Sequence, residues 1–291
     1  SIIYGIGIFY KLFSPFLMNK SLTVFCYHDV TDSPSEFSKL FNLSVTPKNF
    51  NNQINMIKKH FNIVSPDQLL NGKLPNKAAL ITFDDGYKSF FTNAIPILNK
   101  HKVPCLIFLN MGPIKGEISL QGLTTYLCEK RNDFLLFLKK RVKLSSDLPP
   151  FLFCSMSIVN SYLNKIGKSF NKQVSEFIGN FPNENDLKSA SNNSLIYYGN
   201  HLYHHDVPKL MSDNELIASF QKNDEELRKF SNYRNLFAFP FGQPDSCFSD
   251  EQIKILLKNG TKKVFRSSDT INRDSSSCYL DRLSLTNWED S

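Results

Sequence analysis

The feature that most constrains this chain is a compact apolar run, Ala78–Phe83, that passes without a break into Asp84-Asp85-Gly86. Such a run reads as a buried strand, and two adjacent carboxylates at its end are costly unless something positive sits beside them. The pattern recurs along the chain. Ser21–Tyr27, Asn62–Val64, Cys105–Asn110, Leu195–Tyr198, Leu236–Phe239 and Lys263–Phe265 read as further strands, with amphipathic stretches between them. Thr46 caps a helix that begins at Pro47, and Phe50, Ile54, Ile57 and Phe61 give it one apolar face. Ser212-Asp213-Asn214-Glu215 is a capping box opening a helix through about Phe230, and Asp250–Lys258 is another, ended by Gly260. Alternating strands and helices of this kind make an α/β fold.

Residues 115–190 break the rhythm. They are rich in Lys, Phe, Ser and Asn, with helical stretches at Asp133–Val142 and Met156–Ile166 and a turn at Pro149-Pro150. An insertion this long between two strands is expected to be a helical cap or lid rather than a bare loop. The rest of 21–291 is expected to form a single domain. At 291 residues and 41% hydrophobic, the chain is long enough for one large core.

The formal net charge of +7 favours anionic partners, but no dense Lys/Arg block is interleaved with stacking aromatics, so no nucleic acid is expected. The six cysteines are scattered without a CxxC pair, which suits buried small hydrophobes and leans toward a reducing compartment. Residues 1–20 form an apolar, aromatic segment interrupted by Lys11 and Pro15. It lacks the basic start and small-residue cleavage site of a signal peptide, and it is short for a membrane span. A helix packed on the domain and an interfacial segment making peripheral membrane contact both remain open. The expected location is cytoplasmic, or peripheral on the inner face of the membrane.

Four stretches carry chemistry. In Thr82-Phe83-Asp84-Asp85-Gly86-Tyr87, a metal ion would separate the roles of the two carboxylates, one as ligand and one as base; alone, the stretch also fits a solvated Asp-Gly turn. In Gly199–Asp206, His201 and His205 stand four apart, which on a helical turn places both imidazoles on one side. If the segment is not helical, His204 is the alternative to His205. Two His, one carboxylate and an open position make a hydrolytic zinc-type site. Phe239-Pro240-Phe241-Gly242 gives a rigid turn whose backbone N–H groups can point into a cleft, and Cys26-Tyr27-His28-Asp29 ends the first strand. All four lie at strand ends, the face where parallel barrels place their active sites.

Together these motifs resemble the polysaccharide deacetylases (NodB-homology, carbohydrate esterase family 4). Thr82–Gly86 looks like the family's first motif, His201-x-x-x-His205 the second, Phe239–Gly242 the third, and Leu280-Asp281-Arg282-Leu283 the closing strand. The resemblance covers residues 21–112 and about 195–287. It implies a distorted (β/α) barrel of the polysaccharide deacetylase type with a helical insertion. It also implies one divalent metal, Zn²⁺ with Co²⁺, Ni²⁺ or Fe²⁺ as alternatives, held by Asp85, His201 and His205. Asp84 would be the catalytic base, and the Phe241 backbone N–H would help hold an oxyanion.

Two positions depart from the family pattern. Ala238 stands where many members have an Arg, and no His follows His205. In the branch resembling the poly-N-acetylglucosamine deacetylases, a Tyr-His near the start replaces the missing C-terminal His, and Tyr27-His28 matches it. His28 is therefore expected as general acid, and Arg282 as the cation that orients the base. The expected reaction removes an N-acetyl group from an amino sugar of a surface polysaccharide or glycolipid precursor, whether polymeric, lipid-linked or nucleotide-linked. An inactive sugar-binding relative and a sugar O-deacetylase or deformylase on the same scaffold are the alternatives.

Overall fold

The computed structural model describes residues 21–145 and 147–287. The apolar stretch 1–20, with its two open readings, lies outside the described residues. Ten strands follow in chain order among the described residues. They are β1 (Leu22–Tyr27), β2 (Asp29–Val30), β3 (Ser44–Val45), β4 (Asn62–Ile63), β5 (Ala78–Phe83), β6 (Cys105–Leu109), β7 (Ile196–Asn200), β8 (Tyr233–Ala238), β9 (Lys263–Ser267) and β10 (Tyr279–Ser284).

Seven of these strands close a parallel barrel in the order β1-β5-β6-β7-β8-β9-β10, with β10 returning to β1. Every residue of β1 pairs in register with β5, from Leu22 opposite Ala78 to Tyr27 opposite Phe83. The two strands therefore end level with each other. β4 takes the first part of the other edge of β5, opposite Ala78 and Ala79, and β6 takes the rest, opposite Ile81 to Phe83. This is the distorted (β/α) barrel expected, with β2 and β3 forming a small separate pair.

Side chains alternate between the two faces of each strand, as the pleat requires. Leu22, Val24, Leu80, Leu106, Phe108, Leu236, Ala238, Phe265 and Leu280 form one buried cluster inside the barrel. Phe25, Tyr27, Ile81, Phe83, Ile107 and Tyr198 face outward into another. The helix Pro47–His60 covers that outer face. Thr46 accepts from the Asn49 N–H as its N-cap, and Phe50, Ile54 and Ile57 are buried, with the Phe50 ring 5.0 Å from Tyr27. Each such burial stabilises by roughly 1.5–3 kcal/mol. Gly199 in β7 is required by the filling: a Cβ there would lie 2.5 Å from the Phe108 ring.

Between β6 and β7 lie the helices Leu120–Lys130, Asn132–Lys139, Met156–Ile166, Asn171–Ile178 and Glu184–Ser191. The sequence placed one helix at Asp133–Val142, and it ends three residues sooner, at Lys139. Arg141 terminates it by donating to the Phe137 carbonyl at 3.2 Å and laying its guanidinium 3.4 Å over the Phe137 ring. The first four helices share an aromatic cluster of their own, which reaches the barrel through Tyr87 and Phe241. Among the described residues no helix is long and apolar enough to cross a membrane.

Candidate functional site

Because β1 and β5 end level, the residues just past them meet at the barrel mouth. The Asp84 N–H donates to the Tyr27 carbonyl at 3.0 Å, and the Asp84 side chain turns inward. There the Arg282 guanidinium from β10 grips it with two hydrogen bonds, Nη1 to Oδ1 at 2.7 Å and Nη2 to Oδ2 at 2.8 Å. Arg282 is 1% exposed, and its charge sits 5.6 Å over the Phe108 ring. Burial alone would push the Asp84 carboxyl up; the Arg282 charge and the nearby His201 more than offset it, and its pKa is lowered. The guanidinium is likewise held above its ordinary value, the Asp84 charge outweighing burial.

Two more groups, at the end of β1 and just past it, face the same carboxylate. The His28 Nε2 lies 3.9 Å and the Cys26 Sγ 3.7 Å from Asp84 Oδ2. Burial lowers the His28 pKa against the pull of Asp85 and Asp84, and burial pushes the Cys26 thiol up.

Asp85 points the other way. Its backbone is left-handed at φ 68°, followed by Gly86 at φ 81°, so consecutive carboxylates leave the chain in different directions. Asp85 Oδ1 is 3.2 Å from His205 Nε2 and 3.5 Å from His201 Nε2. Burial raises the Asp85 pKa, but His205 and His201 overcome it and hold the carboxyl well below the usual range.

The segment carrying the two histidines is not helical, which corrects the reason given for their pairing. Leu202 and His205 adopt left-handed φ of 62° and 58°, and these two reversals bring both imidazoles to Asp85. The loss of the helix did not bring His204 in as the substitute. Its Nε2 lies 3.2 Å from Glu117 instead. The loop is held by buried amides. Asn110 donates to the carbonyls of His201 and Leu202, Asn200 accepts from the Leu202 N–H at 3.0 Å, and Asn223 donates to Asn200 and to Leu109 at 2.8 Å. The Ala238 carbonyl lies 2.8 Å from His201 Nδ1, which places the ring proton there and leaves the Nε2 lone pair facing Asp85.

The structure thus gathers Asp84, Asp85, His201, His205, His28 and Arg282 at one point. Phe241 reaches it as well, with left-handed φ of 63° and its ring 4.8 Å from His205. Behind it stacks Phe151 from the insertion, at 5.7 Å. Sequence reasoning missed Cys26 as a neighbour of Asp84 and missed all three asparagines. A wholly buried Asn at the ends of β6 and β7 was the available signal, since such an amide must find partners.

A sequence model of the polysaccharide deacetylases matches residues 71–264. The poly-beta-1,6-N-acetyl-D-glucosamine N-deacetylase of Staphylococcus aureus is 23% identical over 261 residues, covering 87% of this chain and 71% of that protein. Among solved structures, IcaB from Ammonifex degensii superposes with a TM-score of 0.62 at 17% identity, over 92% of this chain and 93% of that one. The Streptococcus pyogenes deacetylase PplD, solved in complex with acetate, superposes with a TM-score of 0.56 at 18% identity, over 92% and 93%.

Proposed function

The chain belongs to the polysaccharide deacetylase family, and on that premise we propose that it hydrolyses an N-acetyl group from an amino sugar within a polysaccharide, using one divalent metal ion. The observation that carries the reading is the division of two adjacent carboxylates. Asp84 is gripped by a buried cation, while Asp85 faces two imidazoles.

The residues present fit a metal. Asp85 Oδ1 is buried with no hydrogen-bond partner, flanked by two Nε2 atoms. With the His201 proton on Nδ1, an oxygen and a nitrogen lone pair face each other there, an arrangement that calls for a cation. One carboxylate and two imidazoles suit Zn²⁺, with Co²⁺, Ni²⁺ or Fe²⁺ able to use the same donors. A metal held by Asp85, His201 and His205 would supply Lewis acidity toward the acetyl carbonyl and lower the pKa of water.

The chain's own groups do the rest. Asp84, kept ionised by Arg282, accepts the proton of the attacking water. Because Arg282 binds both carboxylate oxygens, it also fixes the plane of the base, the role many relatives give to an Arg at the position of Ala238. The Phe241 backbone N–H donates to the developing oxyanion. His28, whose Nε2 lies 3.9 Å from Asp84 Oδ2, gives a proton to the departing amine; its lowered pKa makes it a stronger acid once protonated. The segment 115–190 serves as a cap over the mouth, supported by the Phe151 ring against Phe241.

Titration of metal-free protein tests this. About one divalent ion per chain should bind tightly, and Asp85→Ala and His201→Ala should each lose that tight site. Acetate release from an N-acetylated amino-sugar oligomer should require Asp84. A wild-type protein that binds no metal overturns the reading.

A further inference from the structure

A second trio of metal-ligating atoms lies beside the first. The Cys26 Sγ, a His28 imidazole nitrogen and an Asp84 carboxylate oxygen all fall within 4.8 Å of one another, as do the ligand atoms of Asp85, His201 and His205. We propose that this second trio is an inhibitory site for a thiophilic divalent cation, Zn²⁺ or Cd²⁺.

The spacing supports ligation. In a tetrahedral zinc site with bonds of about 2.0–2.3 Å, neighbouring donor atoms stand roughly 3.3–3.6 Å apart. The Cys26 Sγ to Asp84 Oδ2 distance is 3.7 Å and the His28 Nε2 to Asp84 Oδ2 distance 3.9 Å. Those two gaps close by a few tenths of an ångström, and the Cys26 Sγ and the His28 nitrogen stand within 4.8 Å of each other, so side-chain rotation within the site brings the three donors onto one ion. Cys26 and His28 are two residues apart across the end of β1, which puts both side chains on the face turned toward Asp84. The donor types also differ in the direction that matters. The first trio has only nitrogen and oxygen, whereas the second adds sulfur and so favours softer ions.

Two features make this the weaker site. Arg282 already binds both oxygens of Asp84, and although each oxygen keeps acceptor capacity, the guanidinium repels a second cation. A metal on the first trio repels it as well, since His201 Nε2 is only 3.9 Å from Asp84 Oδ2. The first trio therefore fills first. When the second fills, the thiol proton leaves to solvent, His28 loses its proton-carrying nitrogen to the ion, and Asp84 loses an oxygen. Binding there stops turnover without displacing the first metal. This consequence rests on the roles proposed for His28 and Asp84; the binding itself does not.

The test uses full-length protein carrying Cys278→Ser, which removes the exposed cysteine. Metal-free protein is titrated with Cd²⁺ while ultraviolet absorption reports thiolate-to-metal charge transfer. Two binding events are expected, the second at least tenfold weaker. A charge-transfer band should accompany only the second. Adding Cys26→Ser should remove the second event together with its band, and leave the first event. In parallel, excess Zn²⁺ should depress acetate release at least tenfold in the parent and far less in Cys26→Ser. Equal bands in parent and Cys26→Ser overturn the proposal, as does a band that grows with the first equivalent. Asp85→Ala reports separately on the first trio. Loss of the first event there, with the Cys26-dependent event intact, upholds both sites; a first event that survives Asp85→Ala sinks the metal assignment above and leaves the second site standing.

Discussion

The barrel mouth and the helical insertion are held together by different kinds of contact. At the mouth, a guanidinium grips a carboxylate at 2.7 and 2.8 Å, an imidazole nitrogen sits 2.8 Å from a carbonyl, and three buried amides tie down one loop. Each contact has a direction and a required partner. In the insertion, rings pack on rings. Phe134 meets Tyr162 at 4.9 Å, Phe137 meets Tyr162 at 5.4 Å, and Tyr126 meets Phe177 at 5.7 Å. Packing of that kind specifies volume more than atom positions, and it tolerates exchange among apolar residues of similar size. The comparison separates a region that must be right to fractions of an ångström from one that must only be full.

Substitutions can break or sharpen that contrast. Asp84→Asn should have the largest effect, lowering turnover by on the order of 10² to 10⁴ through loss of the base. It should also cost about 3–5 kcal/mol of stability, because Arg282 is left buried without its counter-charge. An unchanged urea midpoint would show that the mouth is less exacting than argued. In the insertion, Phe134→Ala should cost a similar 3–5 kcal/mol through the cavity it leaves, yet keep metal stoichiometry at the wild-type value. Phe134→Met should cost under about 1.5 kcal/mol; if it proves as damaging as Ala, the insertion is not simply filled volume.

Phe151→Ala probes the point where the two regions touch. Losing the stack on Phe241 is worth about 0.5–1.5 kcal/mol, which should appear as a roughly two- to tenfold rise in KM for a polymeric substrate. No change in KM would remove the insertion from substrate binding. A pH profile gives a smaller, directional signal. In the proposed role His28 acts in its protonated form, and its pKa lies below the ordinary imidazole value, so activity should fall as pH rises through a value under about 6.5. His28→Gln should abolish that limb; a limb that persists belongs to another group. The smallest effect is expected from Glu176→Ala, on the insertion helix Asn171–Ile178. Its salt bridge to Lys172 is exposed on both sides, and its loss should cost less than about 0.5 kcal/mol by thermal denaturation.

The uneven legibility of the sequence follows the same division. The strand Ala78–Phe83 was readable to the residue because a strand buried on both faces is an unbroken apolar run with a polar stop. The helices Met156–Ile166 and Asp250–Lys258 were equally clear, each opened by a serine cap. Asp85, His201 and His205 meet, but the helical turn invoked for the histidines does not exist. What brings them together is left-handed backbone at Asp85, Leu202 and His205, and no residue type there announces it, since only glycine makes such a conformation easy. Asn223 was out of reach for another reason. It sits on the helix Asp213–Leu227 and bonds to Met111 and Leu109, more than a hundred residues away, so no local pattern marks it. Cys26 was read as a small hydrophobe, which describes its burial but not the carboxylate beside it.

The closure of β10 onto β1 has a consequence for the order of events during synthesis. Asp84 leaves the ribosome 198 residues before Arg282, the group that fixes its charge and orientation. Until then the barrel lacks its last strand, and the carboxylate that would activate water has nothing to hold it in place. With the roles proposed for Asp84 and Arg282, barrel closure and acquisition of activity are the same late step, and a nascent chain should release no acetate before β10 docks.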